Sequence, residues 1–141
     1  MSKNEIKNIL VPLDGSDTSK KGLEKAIYIA KLSGAKITGM HVVVVYPTLA
    51  STVTKYRDFL TKKAEKMLET TKEQCEKQKI QFESKIFHGK PASQIAEFAK
   101  KGKIDLIVIG SRGISGFKGA ILGSVANTVA QKSKISVLVV K

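Results

Sequence analysis

Five glycines fall within fifteen residues of this chain, in the stretch GSRGISGFKGAILGS at residues 110–124, directly after an apolar run typical of a strand. Glycine inside a helix or strand costs about 0.5–1 kcal/mol relative to alanine, so this density calls for a reason. Where residues lack side chains, a ligand can approach their backbone N–H groups closely. Such N–H groups close to the start of a helix form a site for anions. The spacing Gly110-x2-Gly113-x9-Gly123-Ser124 therefore predicts a polyphosphate site, to which the serine hydroxyl would donate.

Neither common phosphate motif accounts for these glycines. The pattern G-x-x-x-x-G-K-[ST] does not occur, since Gly89-Lys90 is followed by Pro91 and has no glycine five residues upstream. The dinucleotide fingerprint would open the first strand-to-helix turn, where residues 12–16 read PLDGS instead. A flexible loop and the close packing of a helix remain alternatives to a ligand.

The other side chains that could bind a ligand or catalyse a reaction do not form a cluster in the sequence. Arg112 either reaches a phosphate or lies exposed at a loop tip, and Lys118 presents the same choice less strongly. His41 is interpreted as a packed histidine at a strand end rather than a catalytic base, and His88 has no ligand spacing around it. Cys75 falls at apolar helical spacing and is expected to be a buried thiol. The sequence predicts no metal site and no catalytic residue.

Length and composition indicate one soluble domain over residues 1–141. Apolar residues make up 42% of the chain, and no apolar run reaches the roughly 20 residues that span a bilayer. The amino-terminal residues lack the apolar segment of a signal peptide, so we expect a cytoplasmic protein that does not enter a membrane. A single cysteine excludes an internal disulfide bond.

The formal net charge of +13 raises the question of an acidic partner. Lysine supplies nearly all of this charge, and Arg57 and Arg112 are the only arginines. Arginine is the residue that base and phosphate recognition favours, because its guanidinium binds through two hydrogen bonds. The alternation of lysine and glutamate over residues 62–79 is typical of a solvated surface, so nucleic acid is not expected as a partner.

Hydrophobic periodicity predicts strands that alternate with helices. The strands are predicted at residues 6–13, 36–45, 80–87, 104–109 and 135–140, and the helices at 17–33, 55–79, from Pro91 onward, and 118–132. Gly34 is expected to end the first helix, and Ser16 with Asp17 to cap its start. This alternation predicts an α/β fold with a parallel sheet, whose ligand site lies at the carboxyl ends of the strands.

Two features occur together: the glycine spacing above, and Asp14 followed by Gly-Ser at the end of the first strand. With the stretches ILVPLDGSDTS, GKPASQIAEFA and DLIVIGSRGISGFKGAILGSVANTVAQKSKISVLVV, the chain resembles the ATP-binding branch of the universal stress protein family, almost from end to end. The resemblance implies an open five-stranded parallel sheet in the order 3-2-1-4-5 with helices on both faces, a Rossmann-like fold of the adenine-nucleotide alpha hydrolase type. It also implies ATP, alone or with Mg²⁺, between the ends of strands one and four.

The family's binding residues carry over to eleven positions. On the adenosine side they are Pro12, Leu13, Asp14 and Val42; around the ribose and phosphates they are Gly110, Ser111, Arg112, Gly113, Gly123, Ser124 and Val125.

The leading hypothesis is a cytoplasmic ATP-binding protein of the stress response that acts by nucleotide-dependent association. The alternatives are a slow ATPase or phosphotransferase using the same pocket, and a basic adaptor for nucleic acid or an acidic protein. No general base stands beside the glycine segment in sequence and no second carboxylate marks a Mg²⁺ cage, so at most slow hydrolysis is expected.

The last predicted strand, residues 135–140, is expected to be an apolar sheet edge. Such an edge is an aggregation hazard unless it is paired or covered. We therefore expect a homodimer in which two copies pair this strand, and the resemblance adds that relatives are often dimers.

Overall fold

The chain alternates strands and helices throughout. The computed structural model of the protein describes residues 4–44, 50–112 and 122–141, with the backbone alone at residues 50–53. The strands are β1 (Asn8–Pro12), β2 (Lys36–Val44), β3 (Phe82–Gly89), β4 (Leu106–Gly110) and β5 (Ser136–Val140). The helices are α1 (Asp17–Ser33), α2 (Ala50–Lys77), α3 (Pro91–Lys101) and α4 (Ser124–Lys132).

All five strands form one parallel sheet in the order β3-β2-β1-β4-β5, which confirms the predicted topology. The central strand β1 pairs with β2 on one side and with β4 on the other. The strand order therefore reverses between β1 and β4, and helices diverge to opposite faces at this point. In an open parallel sheet the resulting crevice, at the carboxyl ends of the two strands, is where ligands bind.

Both faces of the sheet are covered, because β1 sends alternate side chains to opposite sides. Ile9 and Val11 pack with the apolar stripe of α1 and with Leu68 of α2. Leu10 packs on the other face, in a cluster to which α3 contributes Ile95 and α4 contributes Val129. Strands buried on both faces explain the continuous apolar runs in the sequence.

Helix α1 matches its prediction at both ends. Ser16 caps it, with its hydroxyl oxygen accepting from the N–H of Ser19 at 3.2 Å. Gly34 ends it in the left-handed conformation, at φ 76°, with its N–H donating to Ala30.

Strand β3 begins two residues later than predicted, because the backbone N–H of Ile80 is used by the turn that ends α2. Lys79 takes the left-handed conformation at φ 61°, and Ile80 donates its N–H to the carbonyl of Cys75 at 2.9 Å. These bonds satisfy carbonyls left open at the end of the helix. At its other end α2 begins at Ala50, five residues before the predicted start at residue 55.

The apolar face predicted for α2 is buried along only part of the helix. Ala64, Leu68 and Cys75 are buried as expected, but Tyr56 is 62% exposed and Phe59 is 61% exposed. Burial, helped by the nearby charge of Glu76, raises the pKa of the Cys75 thiol to about 11, which keeps this sulfur protonated and unreactive.

Within the part of the chain that the structure describes, none of the helices combines the length and apolar character needed to cross a bilayer.

Candidate functional site

A cleft of about 810 Å³ lies at the carboxyl ends of the strands, at the point where the strand order reverses. Its floor comes from the ends of β1, β2 and β4, and its walls come from the starts of α3 and α4 and from α2. This volume falls within the roughly 300–1,000 Å³ of small-molecule sites. The cleft therefore occupies the position that the sequence predicted for a ligand site, and its volume is large enough for a small molecule.

The turn from β1 into α1 holds Asp14 in a fixed position on the cleft. One carboxylate oxygen, Oδ1, accepts the N–H of Ser16 at 2.9 Å, which closes a turn ahead of the helix cap. The structure describes no partner for the other oxygen, and Asp14 is half-buried at the cleft wall. This second oxygen can accept hydrogen bonds from a ligand's hydroxyl groups.

His41, within β2, is hydrogen-bonded to the residue that follows β1. Its Nδ1 lies 2.7 Å from the carbonyl oxygen of Leu13, which can only accept, so Nδ1 carries the hydrogen. In the neutral ring the acceptor is then Nε2, on a side chain that lines the cleft. His41 is half-buried and lies within β2, three residues before the strand ends, so its interpretation as a packed histidine rather than a catalytic base stays a prediction.

The segment after β4 is tied to the first turn of α1 by Thr18, a residue that the sequence analysis did not single out. The Thr18 hydroxyl donates to the carbonyl of Arg112, and Ser111 donates its N–H to the carbonyl of Val140 at 2.8 Å. The backbone of residues 111 and 112 is thus fixed from both sides. The Arg112 side chain is exposed and lines the cleft, where it can reach an anion.

Gly110 has a packing reason of its own. A Cβ built at this position would lie 2.6 Å from the carbonyl carbon of Thr18 and 2.8 Å from the N–H nitrogen of Ser19. Both are backbone atoms of α1, which cannot yield as a flexible side chain could. Close helix packing, one of the alternatives left open by the sequence, accounts for this glycine, although Gly110 also lines the cleft.

The start of α4 places on the cleft backbone N–H groups that have no acceptor among the described residues. Gly123 donates its own N–H to the carbonyl of Ser111 at 2.5 Å, and its carbonyl receives the N–H of Asn127. No described residue accepts from the N–H of Ser124, Val125 or Ala126. Val125 and Ala126 line the cleft, and the positive end of the helix dipole lies there as well.

Nine of the eleven predicted site residues come together on the cleft wall. They are Pro12, Leu13, Asp14, Val42, Gly110, Ser111, Arg112, Gly123 and Val125. Ser124 is exposed at the first position of α4 and is not among the lining residues. Gly113, with the other glycines at 116 and 119 and with Lys118, lies outside the described residues.

Helix α2 contributes a wall that the sequence analysis missed. Its first turns place Tyr56, Arg57 and Leu60 on the cleft. The guanidinium of Arg57 forms no ion pair with any residue that the structure describes. The sequence signal that could have identified Arg57 as a cleft residue is the scarcity of arginine, because both arginines of this lysine-rich chain line the cleft.

Asp14 is the one carboxylate among the described residues that line this cleft. Across the described ranges, no three histidine, cysteine or acidic side chains lie close enough to hold a metal ion. The described cleft wall carries two guanidinium groups and the backbone N–H groups at the start of α4, which are groups that can bind an anion, and one carboxylate acceptor beside apolar side chains.

The fold and the cleft together define an α/β protein with a cleft at the switch point of a parallel sheet. The chain belongs to the universal stress protein family, whose family model matches residues 5–141. Universal stress protein YxiE of Bacillus subtilis is 38% identical over 144 residues, which cover 94% of this chain and 97% of that protein.

Solved structures show the same likeness. Universal stress protein UspA from Lactobacillus plantarum superposes with a TM-score of 0.90 at 26% identity, covering 97% of this chain and 99% of that one. A universal stress protein in complex with cAMP has a TM-score of 0.76 at 28% identity, covering 97% of this chain and 98% of that one. Two structures that share the fold at 21% and 22% identity hold AMP, in Arabidopsis thaliana, and dAMP, in Archaeoglobus fulgidus.

Proposed function

We propose that this protein binds an adenine nucleotide, ATP in the first instance, in the cleft between the ends of β1 and β4. We further propose that it acts in the cytoplasmic stress response through association that depends on the bound nucleotide. The observation that carries the proposal is that one cleft brings together an Asp14 oxygen and N–H groups of α4, none of which has a partner among the described residues. Relatives of the same fold that hold cAMP, AMP and dAMP support the choice of ligand.

The apolar part of the cleft suits a purine ring. Four elements each contribute one side chain to this part of the cleft: Pro12 from β1, Val42 from β2, Ile95 from α3 and Ala126 from α4. A flat base can pack between these side chains. Asp14 lies at the edge of this region, where its free oxygen would accept from the ribose hydroxyls.

The phosphates would lie toward the start of α4 and the loop after β4. There Val125 and Ala126 offer backbone N–H groups, and Arg112 offers a guanidinium. Because oriented N–H groups and arginine both bind phosphate oxygens well, the charge of a triphosphate would be matched without a lysine from a P-loop.

The chain's own residues offer little to hold Mg²⁺. With Asp14 as the one carboxylate on the described wall, an accompanying ion would rely on phosphate oxygens and water. We infer a protein that retains its nucleotide and turns it over slowly if at all.

Purified protein incubated with ATP and Mg²⁺ tests this inference. We expect near-stoichiometric nucleotide to remain with the protein through gel filtration, unhydrolysed, as read by mass spectrometry of the denatured sample. Sustained release of ADP and phosphate over many turnovers would instead make the protein an ATPase.

We also propose a homodimer through β5. This strand is one edge of the sheet, and its side chains include Leu138, which is 36% exposed. A second copy pairing antiparallel across a two-fold axis would satisfy the open backbone groups and cover these side chains.

A further inference from the structure

A second cavity, of about 730 Å³, adjoins the cleft on the side of α1 and α2. Four residues line both cavities and form a shared border: Asp14, His41, Leu60 and Arg112. We call the second cavity the α1–α2 basin. Its remaining lining consists of Gly15, Ser16, Asp17, Thr18, Lys20, Lys63, Ala64 and Met67.

The basin carries cations that nothing in the described chain neutralises. Lys20, Lys63 and Arg112 line it, and none of them lies within 4.0 Å of a described carboxylate. The carboxylates of Asp14 and Asp17 also line it, which leaves one positive charge in excess. Cations and carboxylates that face the same space without pairing can each bind a different part of one ligand: phosphate at the cations, hydroxyl groups at the carboxylates.

Helix α2 gives the basin an apolar side. Leu60, Ala64 and Met67 lie one turn apart along the helix and face the cavity together. With roughly 300–1,000 Å³ typical of a complete small-molecule site, the basin has room for far more than a single phosphate group. Its chemistry matches that of a nucleoside carrying phosphate: an apolar wall for a ring, the Asp17 carboxylate for a ribose, and lysines for an anion.

We propose that the cleft and the α1–α2 basin together bind a dinucleoside polyphosphate. One adenine nucleotide lies in the cleft, as under the proposed function on which this inference depends, and the second nucleoside lies in the basin. The phosphate chain crosses the shared border, where Arg112 binds it. Lys20 and Lys63 bind the phosphate nearest the second nucleoside, from α1 and α2 respectively.

Calorimetry with AMP, ATP and diadenosine tetraphosphate tests this proposal. ATP and diadenosine tetraphosphate carry similar charge, so a difference between them reports the second nucleoside. We expect diadenosine tetraphosphate to bind about tenfold more tightly than ATP, because its second moiety binds intramolecularly once the first is bound. The stoichiometry should be one ligand per chain.

A double variant tests whether the basin is the source of the higher affinity for diadenosine tetraphosphate. Lys20→Ala with Lys63→Ala should abolish the preference for diadenosine tetraphosphate and leave AMP affinity unchanged. The matched control, Lys21→Ala with Lys62→Ala, removes the same charge from neighbouring exposed positions that do not line the basin, and should keep the preference.

Three results would overturn the inference while leaving the proposed function standing. The first is equal affinity for ATP and diadenosine tetraphosphate. The second is a preference for diadenosine tetraphosphate that survives in the Lys20/Lys63 variant or is lost in its control. The third is a stoichiometry of one ligand to two chains. Failure of AMP and ATP to bind at all would overturn the proposed function and this inference with it.

Discussion

The Nδ1 of His41 lies 2.7 Å from the carbonyl oxygen of Leu13, so the imidazole links β2 to the residue that follows β1, on the wall of the cleft. The N–H of Leu13 donates to Met40 at 2.7 Å, which fixes the same residue from its other side. Asp14 follows immediately and is itself held by the N–H of Ser16. The carboxylate is therefore oriented before any ligand arrives, which lowers the entropy lost on binding.

Replacement of Asp14 tests its role in binding the ribose. Asp14→Ala should weaken AMP and ATP alike, by about 1.5–3 kcal/mol, since the contact is on the nucleoside they share. Asp14→Asn keeps an acceptor for the N–H of Ser16 and should preserve the turn, so a loss of affinity in both variants identifies the charge. Unchanged calorimetric affinity in the alanine variant would reduce Asp14 to a turn residue.

Gly110 should prove to be a packing residue. Gly110→Ala places a methyl group 2.6 Å from the Thr18 carbonyl carbon and is expected to lower the free energy of unfolding by about 1–3 kcal/mol. Gly22→Ala is the matched control, because its Cβ meets Gly110 at 3.4 Å and alanine favours the helix. Urea denaturation checks both, and equal stability of the two variants would contradict the packing account.

The edge strand β5 can be tested without disturbing its pairing with β4. Ser111 donates to the carbonyl of Val140, and hydrogen-bonding groups alternate in direction along a strand, so the N–H of Val137 points to the open edge. Val137→Pro removes this donor and should give monomers in sedimentation, whereas Val137→Thr, which keeps the N–H, should remain dimeric. A wild-type chain that sediments as a monomer at high micromolar concentration would refute the dimer.

The fold was predictable because its signals are local and agree with one another. Apolar runs, the Ser16 cap and the Gly34 stop each mark an element, and the alternation of strands with helices selects a parallel sheet. The boundaries of the strands and helices were less predictable than the fold. The end of α2, at residues 77–80, depends on Lys79 in the left-handed conformation, and no glycine in this stretch indicates a turn.

The site was predictable where chain-adjacent residues create it and unpredictable where distant elements meet. Asp14 and Gly123 belong to strand ends and helix starts that the pattern locates. Arg57 comes to the cleft because of how α2 is placed against the sheet, which periodicity does not specify. The reason for Gly110 also lies in a distant element, since Thr18 is the residue it must approach.

Titration of ATP into the purified protein by calorimetry, side by side with Gly123→Val, tests the central claim most directly. Gly123 lines the cleft at the N-cap of α4 with an extended backbone, at φ −68° and ψ 162°, which valine can adopt. The account predicts one ATP per wild-type chain and loss of binding in a variant whose circular dichroism is unchanged. ATP that fails to bind the wild type, or that binds the folded variant with the same affinity, would contradict it.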